Sequence, residues 1–249
     1  MAFFYGLLVL TLASCALARP TATVLTGAFT CVDAADFSLC QNQWGTASGV
    51  GSQNSTLLSA SGDSISWSTV YTWENSPNNV KTYANVQQNV GMGVQLSNLA
   101  SVPTSWQWKY ISKSDGLRAD VSYDIWTGVP PTGTAASANS SFEIMIWLSG
   151  LGGIQPVGSQ TVTNVSIAGF DWNVWKGPNA NWETISFVSA DGDITDFRVD
   201  LKDFFDYLSA EQGVASSQFL QVIQTGTEAF EGNASLSIDH FSVAVNPKK

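Results

Sequence analysis

The chemistry of this chain starts from a carboxylate set between a thioether and an indole. In Phe142–Leu148, Phe-Glu-Ile-Met-Ile-Trp-Leu, strand geometry sends Phe142, Ile144, Ile146 and Leu148 to one side and Glu143, Met145 and Trp147 to the other. The first set is a core face. The second places a charge among apolar neighbours, where desolvation raises a carboxyl pKa and burial without a task is costly. The alternative is an edge strand whose glutamate meets bulk water. Of the six glutamates, Glu228 in Gly226–Phe230 has a comparably apolar, turn-tight setting, whereas Glu74, Glu183, Glu211 and Glu231 fall in polar or loop contexts that predict solvation. Two carboxyls with separated pKa values are what glycoside hydrolysis needs: one ionised, the other protonated to donate to the leaving oxygen.

Other chemistries are excluded by composition. His240 is the single histidine, which rules against a Ser-His-Asp triad, a Cys-His pair or a multi-His zinc site. A net charge of −10 argues against nucleic acid and anionic membrane surfaces as partners. Neutral polymers remain, and ten Trp residues suit them, because pyranose C–H faces stack on flat aromatics.

The elements that must position these groups read as strands. Leu117–Trp126 alternates with Ala119, Val121, Tyr123 and Ile125 on one side and Asp120, Ser122, Asp124 and Trp126 on the other. Joined to Phe142–Leu148 by the polar stretch 128–141, it would put Asp124 beside Glu143 on one face. Further strands are expected over 28–32, 37–41, 64–73, 80–86, 91–96, 106–111, 162–168, 171–176, 182–188, 217–225 and 234–245, with 46–54 as a Gly/Ser-rich loop. One period differs: Leu201, Phe204, Phe205 and Leu208 at i, i+3, i+4 and i+7 predict one amphipathic helix serving as a cover. The composition is that of an all-β chain.

Residues 3–13 are almost wholly apolar, and Ala16-Leu-Ala18 resembles a signal-peptidase site. Residues 1–18 are therefore expected to be a removed signal peptide that takes Cys15 with it, leaving residues 19–249 as one secreted, extracellular catalytic domain. Cys31 and Cys40 then form an even pair in an oxidising compartment, read as a disulfide across a short hairpin; two free thiols at a site would lack partners. Four Asn-X-Ser/Thr sequons, at Asn54, Asn139, Asn164 and Asn233, fit secretion.

Four stretches, Phe-Glu-Ile-Met-Ile-Trp-Leu at 142–148, Val-Ser-Tyr-Asp-Ile-Trp at 121–126, Asn-Gln-Trp-Gly at 42–45 and Gln-Thr-Gly-Thr-Glu-Ala-Phe at 224–230, together resemble glycoside hydrolase family 12. The resemblance spans roughly residues 28–246. It implies a β-jelly-roll sandwich of two curved antiparallel sheets, a concave substrate cleft and one packed α-helix. It also implies a retaining endo-β-1,4-glucanase of the cellulase or xyloglucanase type, acting as a monomer on β-glucan with no metal or organic cofactor. Carried over by position, Glu143 is the nucleophile, Glu228 the acid/base and Asp124 the carboxyl against the nucleophile; Asn42, Trp44, Met145, Trp147 and Gln224 are sugar-contacting. A like charge at Asp124 near Glu143 predicts an acidic pH optimum. One departure is Ala229, where the family usually has proline, which frees φ and adds an N–H beside the acid/base. Two other readings stand beside this one: a non-catalytic glycan-binding or decoy protein on the same fold, and a related jelly-roll enzyme that cuts xylan.

Overall fold

A computed structural model describes residues 22–249; the expected signal peptide and Cys15 lie outside the described residues. In chain order the strands are β1 (Thr23–Leu25), β2 (Cys31–Ala34), β3 (Phe37–Cys40), β4 (Val50–Ser61), β5 (Ser64–Glu74), β6 (Thr82–Gln88), β7 (Val94–Gln95), β8 (Leu99–Ser101) and β9 (Pro103–Lys113). There follow β10 (Arg118–Gly128), β11 (Phe142–Leu151), β12 (Ser159–Ile167), β13 (Phe170–Asn179), β14 (Trp182–Ser189) and β15 (Asp196–Asp200). The helix α1 (Lys202–Glu211) precedes β16 (Phe219–Val243) and β17 (Asn246–Pro247). This is the all-β sandwich with one packed helix that the pattern and the resemblance imply.

Two sheets share one strand. Up to Ala229, β16 pairs with β10 on one side and β6 on the other, within an inner sheet that continues through β11, β14 and β13 to β12. From Gly232 onward the same strand pairs with β5 and β9 in an outer sheet that includes β4, β1 and β15. Neighbours run antiparallel with one exception among the described strands, the parallel pair β11–β14, reached by way of the β12–β13 hairpin. That hairpin turns at Ala168 and Gly169, both at positive φ (55° and 84°), the left-handed pair that matches strand twist.

The core lies between the sheets and is built from alternate residues. Along β5, Ile65, Trp67, Thr69, Tyr71 and Trp73 are buried while the residues between them face outward. Along β11, Ile144, Ile146 and Leu148 are fully buried. Aromatic rings meet edge to face through the middle: Trp106 on Tyr123 at 5.0 Å, Trp67 on Phe241 at 6.2 Å and Trp172 on Phe197 at 6.0 Å. Helix α1 closes one end by inserting Phe204 against Trp172 and Phe187, with ring centroids 5.3 and 5.1 Å apart. Phe204, Phe205 and Leu208 are all buried, each stabilising the fold by about 1.5–3 kcal/mol.

Several elements differ from the sequence expectation. The short strands β1, β8 and β17 were not expected, and of the strand expected over 91–96 only β7 forms, since Gly91 and Gly93 hold positive φ (82° and 81°). The loop expected over 46–54 ends at Gly49, and β4 begins at Val50. Its inward residues are polar: Gln53 donates to the Gln41 carbonyl at 2.9 Å and accepts from Thr82 at 2.7 Å, and Ser55 meets Thr69 at 3.0 Å. A strand that faces inward with satisfied amides and hydroxyls shows no hydrophobic alternation. Strand β15 was not expected either, because Phe197 is its one fully buried apolar residue. The two strands expected over 217–225 and 234–245 are one continuous strand. The stretch between them is polar in sequence yet pairs on both sides, and Ala229 sits fully buried among Tyr71, Trp73, Leu117 and Ala119.

Cys31 and Cys40 face each other across β2 and β3 and form the expected disulfide. Closing so short a loop contributes roughly 2.5 kcal/mol by the chain-entropy relation.

Candidate active site

The inner sheet bears an open cleft of about 690 Å³. Its floor comes from four neighbouring strands: Tyr83 and Asn85 of β6, Gln224 and Glu228 of β16, Asp124 and Trp126 of β10, and Glu143, Met145 and Trp147 of β11. Asn42, Trp44 and the Cys31–Cys40 pair form one wall with Phe29. Every residue singled out from the sequence thus lines one cavity. Asn42 holds positive φ (45°) while its carbonyl accepts the Tyr83 N–H at 3.0 Å. Trp44 is 55% exposed, an indole face open to a ligand. Met145 and Trp147 are buried in the floor. Gln224 donates to Gln87 at 2.9 Å.

Strand β11 lies inside the sheet, between β10 and β14, so Glu143 does not sit on a solvated edge. Its Oε2 accepts three hydrogen bonds: from Asn179 Nδ2 and Trp182 Nε1, each at 3.1 Å, and from the Thr184 hydroxyl. All three land on one oxygen, which fixes the carboxylate plane and leaves Oε1 without a protein donor among the described residues. Such an arrangement suits an ionised group with one oxygen reserved for a reaction partner.

Asp124 lies opposite Met145 on one side and Gln224 on the other, 8% exposed, with no hydrogen-bond partner for Oδ1 among the described residues. Burial pushes its carboxyl well above the ordinary range, and the charge of Glu143 adds to the effect. Glu228 is held well above the ordinary range as well. Burial is the largest cause, followed by the charge and hydrogen bond of Asp120, then Glu143 and Asp124. The cleft therefore contains two unlike carboxyls: Glu143, with three donors on one oxygen, and Glu228, whose hold on a proton is strengthened by burial and acidic neighbours.

Residues 35–246 match the family model described as glycosyl hydrolase family 12. The chain belongs to glycosyl hydrolase family 12. A xyloglucan-specific endo-β-1,4-glucanase A of Aspergillus aculeatus is 38% identical over 215 residues, covering 85% of this chain and 87% of that one. A xyloglucan-specific endo-β-1,4-glucanase 1 of Phytophthora sojae is 36% identical over 249 residues, covering 98% of this chain and 99% of that one. Among solved structures, the catalytic domain of Humicola grisea Cel12A, soaked with a thio-cellotetraose, superposes with a TM-score of 0.83 at 34% identity, covering 90% of this chain and 99% of that one.

This family 12 hydrolase holds functional-site residues that sequence reasoning did not single out. Asn179, Trp182 and Thr184 anchor Glu143, yet they come from β13 and β14, where Trp182-Glu-Thr184 read as an ordinary strand start. Asp120 shares the strand face of Asp124, and that was its only signal. It is fully buried beneath Glu228. The rim 75–79, which brings Asn78 to the cleft, is held by two cations. The Lys81 ammonium donates to the carbonyls of Ser76, Asn79 and Phe230 at 2.8–2.9 Å. Arg118 bonds the Pro77 carbonyl and Asn78 Oδ1, both at 2.8 Å, and also the Gly152 carbonyl. Asn75 and Ser76 keep left-handed φ (72° and 51°) under this double hold. Among the described residues no group of His, Cys, Asp and Glu is disposed to bind a metal ion, and no helix is long and apolar enough to cross a membrane.

The carboxyl cluster makes the fold pH-sensitive in a defined direction. Asp120, Asp124 and Glu228 all bind protons more tightly folded than unfolded, Asp120 being pushed up to about 7 by burial. Their stabilisation is complete below the unfolded values near pH 4 and is lost as pH rises through the folded values. The Asp120 shift alone corresponds to roughly 4 kcal/mol at most. Asp196 and Asp239 shift the opposite way beside Arg198 and Lys109, but at exposed positions where screening keeps the effect small. Thermal unfolding is expected about 5–10 °C higher at pH 5 than at pH 8. A midpoint that is flat or rises across that interval would contradict the direction.

Proposed function

We propose that this family 12 hydrolase is a secreted, retaining endo-β-1,4-glucanase that cuts plant cell-wall β-glucan within the chain, with xyloglucan the preferred polymer. The observation that carries the reading is the pair of unlike carboxyls in one open cleft: Glu143, anchored by three donors on a single oxygen, and Glu228, its carboxyl pushed above the ordinary range by burial and carboxyl neighbours. Glu143 attacks the anomeric carbon through its free oxygen as Glu228 gives its proton to the departing glucosyl oxygen. Water then adds to the glycosyl-enzyme, passing a proton to Glu228 and regenerating Glu143. Asp124 stays protonated against Glu143. The xyloglucan preference draws on the activities named for the Aspergillus and Phytophthora relatives, and on a wall where Ala135 and Ala136 present little bulk to a branched chain. Trp44, Met145, Trp147, Asn42 and Gln224 provide the sugar-contacting surface.

Product release from xyloglucan, barley β-glucan and soluble cellulose tests this directly. Xyloglucan is expected to be cut fastest, with viscosity falling well ahead of reducing-end release, and the rate highest at mildly acidic pH. Proton NMR of the first product should show the β-anomer before mutarotation; an initial α-anomer would rule out double displacement. We further propose that the mature protein is one catalytic domain beginning at Arg19 and acts as a monomer. The mass of the secreted protein and light scattering check these two statements.

A further inference from the structure

We propose that Asp120 is a positioning residue for the acid/base: it shares one proton with Glu228 and biases that proton onto Glu228. The inference rests on the role of Glu228 in the proposed function. Asp120 is completely buried, and the backbone of the acid/base is tied to it, the Glu228 N–H donating to Asp120 Oδ1 at 2.8 Å. The Ser122 hydroxyl donates to the same oxygen at 3.1 Å. The neighbouring Thr227 hydroxyl donates to the Asp120 carbonyl at 2.6 Å, so the two strands are pinned at this level twice over. Asp120 Oδ2 is buried with no N–H or O–H donor of the described residues upon it. The Asp120 and Glu228 carboxyls lie within hydrogen-bonding reach of each other, and two carboxyls so placed make a hydrogen bond when they hold a proton between them.

Donor placement decides which of the two keeps that proton. Two donors converge on Asp120 Oδ1, stabilising Asp120 as the carboxylate. Glu228 has no such donors on its carboxyl among the described residues, so as pH rises and the pair gives up its first proton, Asp120 is the member that ionises and Glu228 the one that keeps its proton. The groups facing the pair are uniformly acidic or phenolic: Asp124 of β10, Glu143 of β11, Tyr83 of β6, Tyr71 of β5 and Tyr110 of β9. None of them supplies a positive charge that would let both members ionise at rest. Charge balances through the first chemical step. Glu143 loses its negative charge as its Oε1 bonds the anomeric carbon and the C–O bond to the leaving sugar breaks. Glu228 gains one as its proton goes to that departing oxygen. The cluster's total is unchanged, so the doubly ionised pair is tolerated while the ester exists. Water returns the proton to Glu228 as Glu143 is released.

Asp120→Asn is the test, because its amide N–H would donate to Glu228 and favour the carboxylate. The upper limb of kcat/KM against pH is expected to fall by about one unit or more. Hydrolysis of polymer at pH 7 should drop about tenfold or more. Hydrolysis of a 2,4-dinitrophenyl cellooligoside, whose leaving group needs no proton, should stay within about threefold. An unmoved upper limb, or equal losses on both substrates, would mean that Asp120 is structural and would overturn the proposal. If the variant does not fold, carboxyl 13C titration of the wild type decides, with Glu228 assigned by its loss in Glu228→Gln. Two resonances sharing a two-step curve support the shared proton, and independent single steps overturn it. Glu228→Ala measured alongside separates the two levels. If it keeps full activity on polymer, the role of Glu228 falls and this inference with it. If it is inactive while Asp120→Asn keeps the wild-type limb, the shared proton alone falls.

Discussion

Replacing Glu143 by alanine is expected to lower hydrolysis of xyloglucan by about 10⁴-fold or more, the scale on which loss of a covalent nucleophile is felt. The attacking oxygen is gone and nothing else in the cleft is placed to take over, since burial alone keeps the Asp124 carboxyl above the ordinary carboxylate range. The stereochemistry of rescue identifies the role. With azide and an activated glycosyl donor, the small anion enters from the face Glu143 vacates and should give the α-glycosyl azide. A β-azide product, or activity within about tenfold of wild type, would show that Glu143 is not the nucleophile. The substitution leaves the Asn179, Trp182 and Thr184 donors without their acceptor, at a cost of about 1–3 kcal/mol each where they are buried. Glu143→Gln keeps an acceptor oxygen in the same place. It should restore the unfolding midpoint without restoring activity.

Replacing Glu228 by alanine should produce a loss that depends on the substrate. Polymer hydrolysis is expected to fall about 10²–10⁴-fold, because the departing glucosyl oxygen leaves as an alkoxide without its proton. A dinitrophenyl donor leaves unaided, so formation of the glycosyl-enzyme should hardly change while its breakdown by water slows. Burst kinetics and accumulation of a covalent adduct on Glu143 follow, visible by mass spectrometry of the intact protein. Azide, which needs no base, should speed turnover and give the β-glycosyl azide. The basic limb of the pH profile should vanish with the residue that sets it. An uncatalysed-like rate on both substrates, with no adduct, would place Glu228 outside the chemistry.

The parts of this molecule legible in its sequence are those governed by apolar alternation. β5, β10 and β11 and the helix carrying Phe204, Phe205 and Leu208 stand where the period puts them, because in each the core-facing positions form an apolar set at the spacing of the element. The floor residues Glu143, Met145 and Trp147 could be read as one face for the same reason. β4 hid because its buried positions are Gln53 and Ser55, satisfied by partners 12 to 29 residues away that no local window contains. Asp120 hid for a related cause: its importance lies in touching the Glu228 backbone, 108 residues distant in sequence. The anchors of Glu143 were illegible too, since a parallel pairing of β11 with β14 brings them there and the intervening hairpin leaves no mark of that register. The stretch around Glu228 was not read as strand because Gly226, Glu228, Gly232 and Asn233 are poor strand formers; tertiary pairing along it overrides that preference.

A single strand of 25 residues near the C-terminal end completes both sheets. Synthesis is vectorial, so β5, β6, β9 and β10 leave the ribosome long before the strand that all four flank. Until Val243 has emerged, Trp67, Trp106 and Tyr123 lack the cover of Phe241, and the edges meant for β16 stay open. Assembly is therefore expected late, with the slow folding of chains dominated by long-range strand pairing. Nascent fragments that end before residue 219 should stay protease-sensitive and lean on chaperones. The same delay keeps the segment carrying Glu228 out of register until the two halves of the sandwich close together, so the enzyme gains its catalytic cleft and its fold in one event.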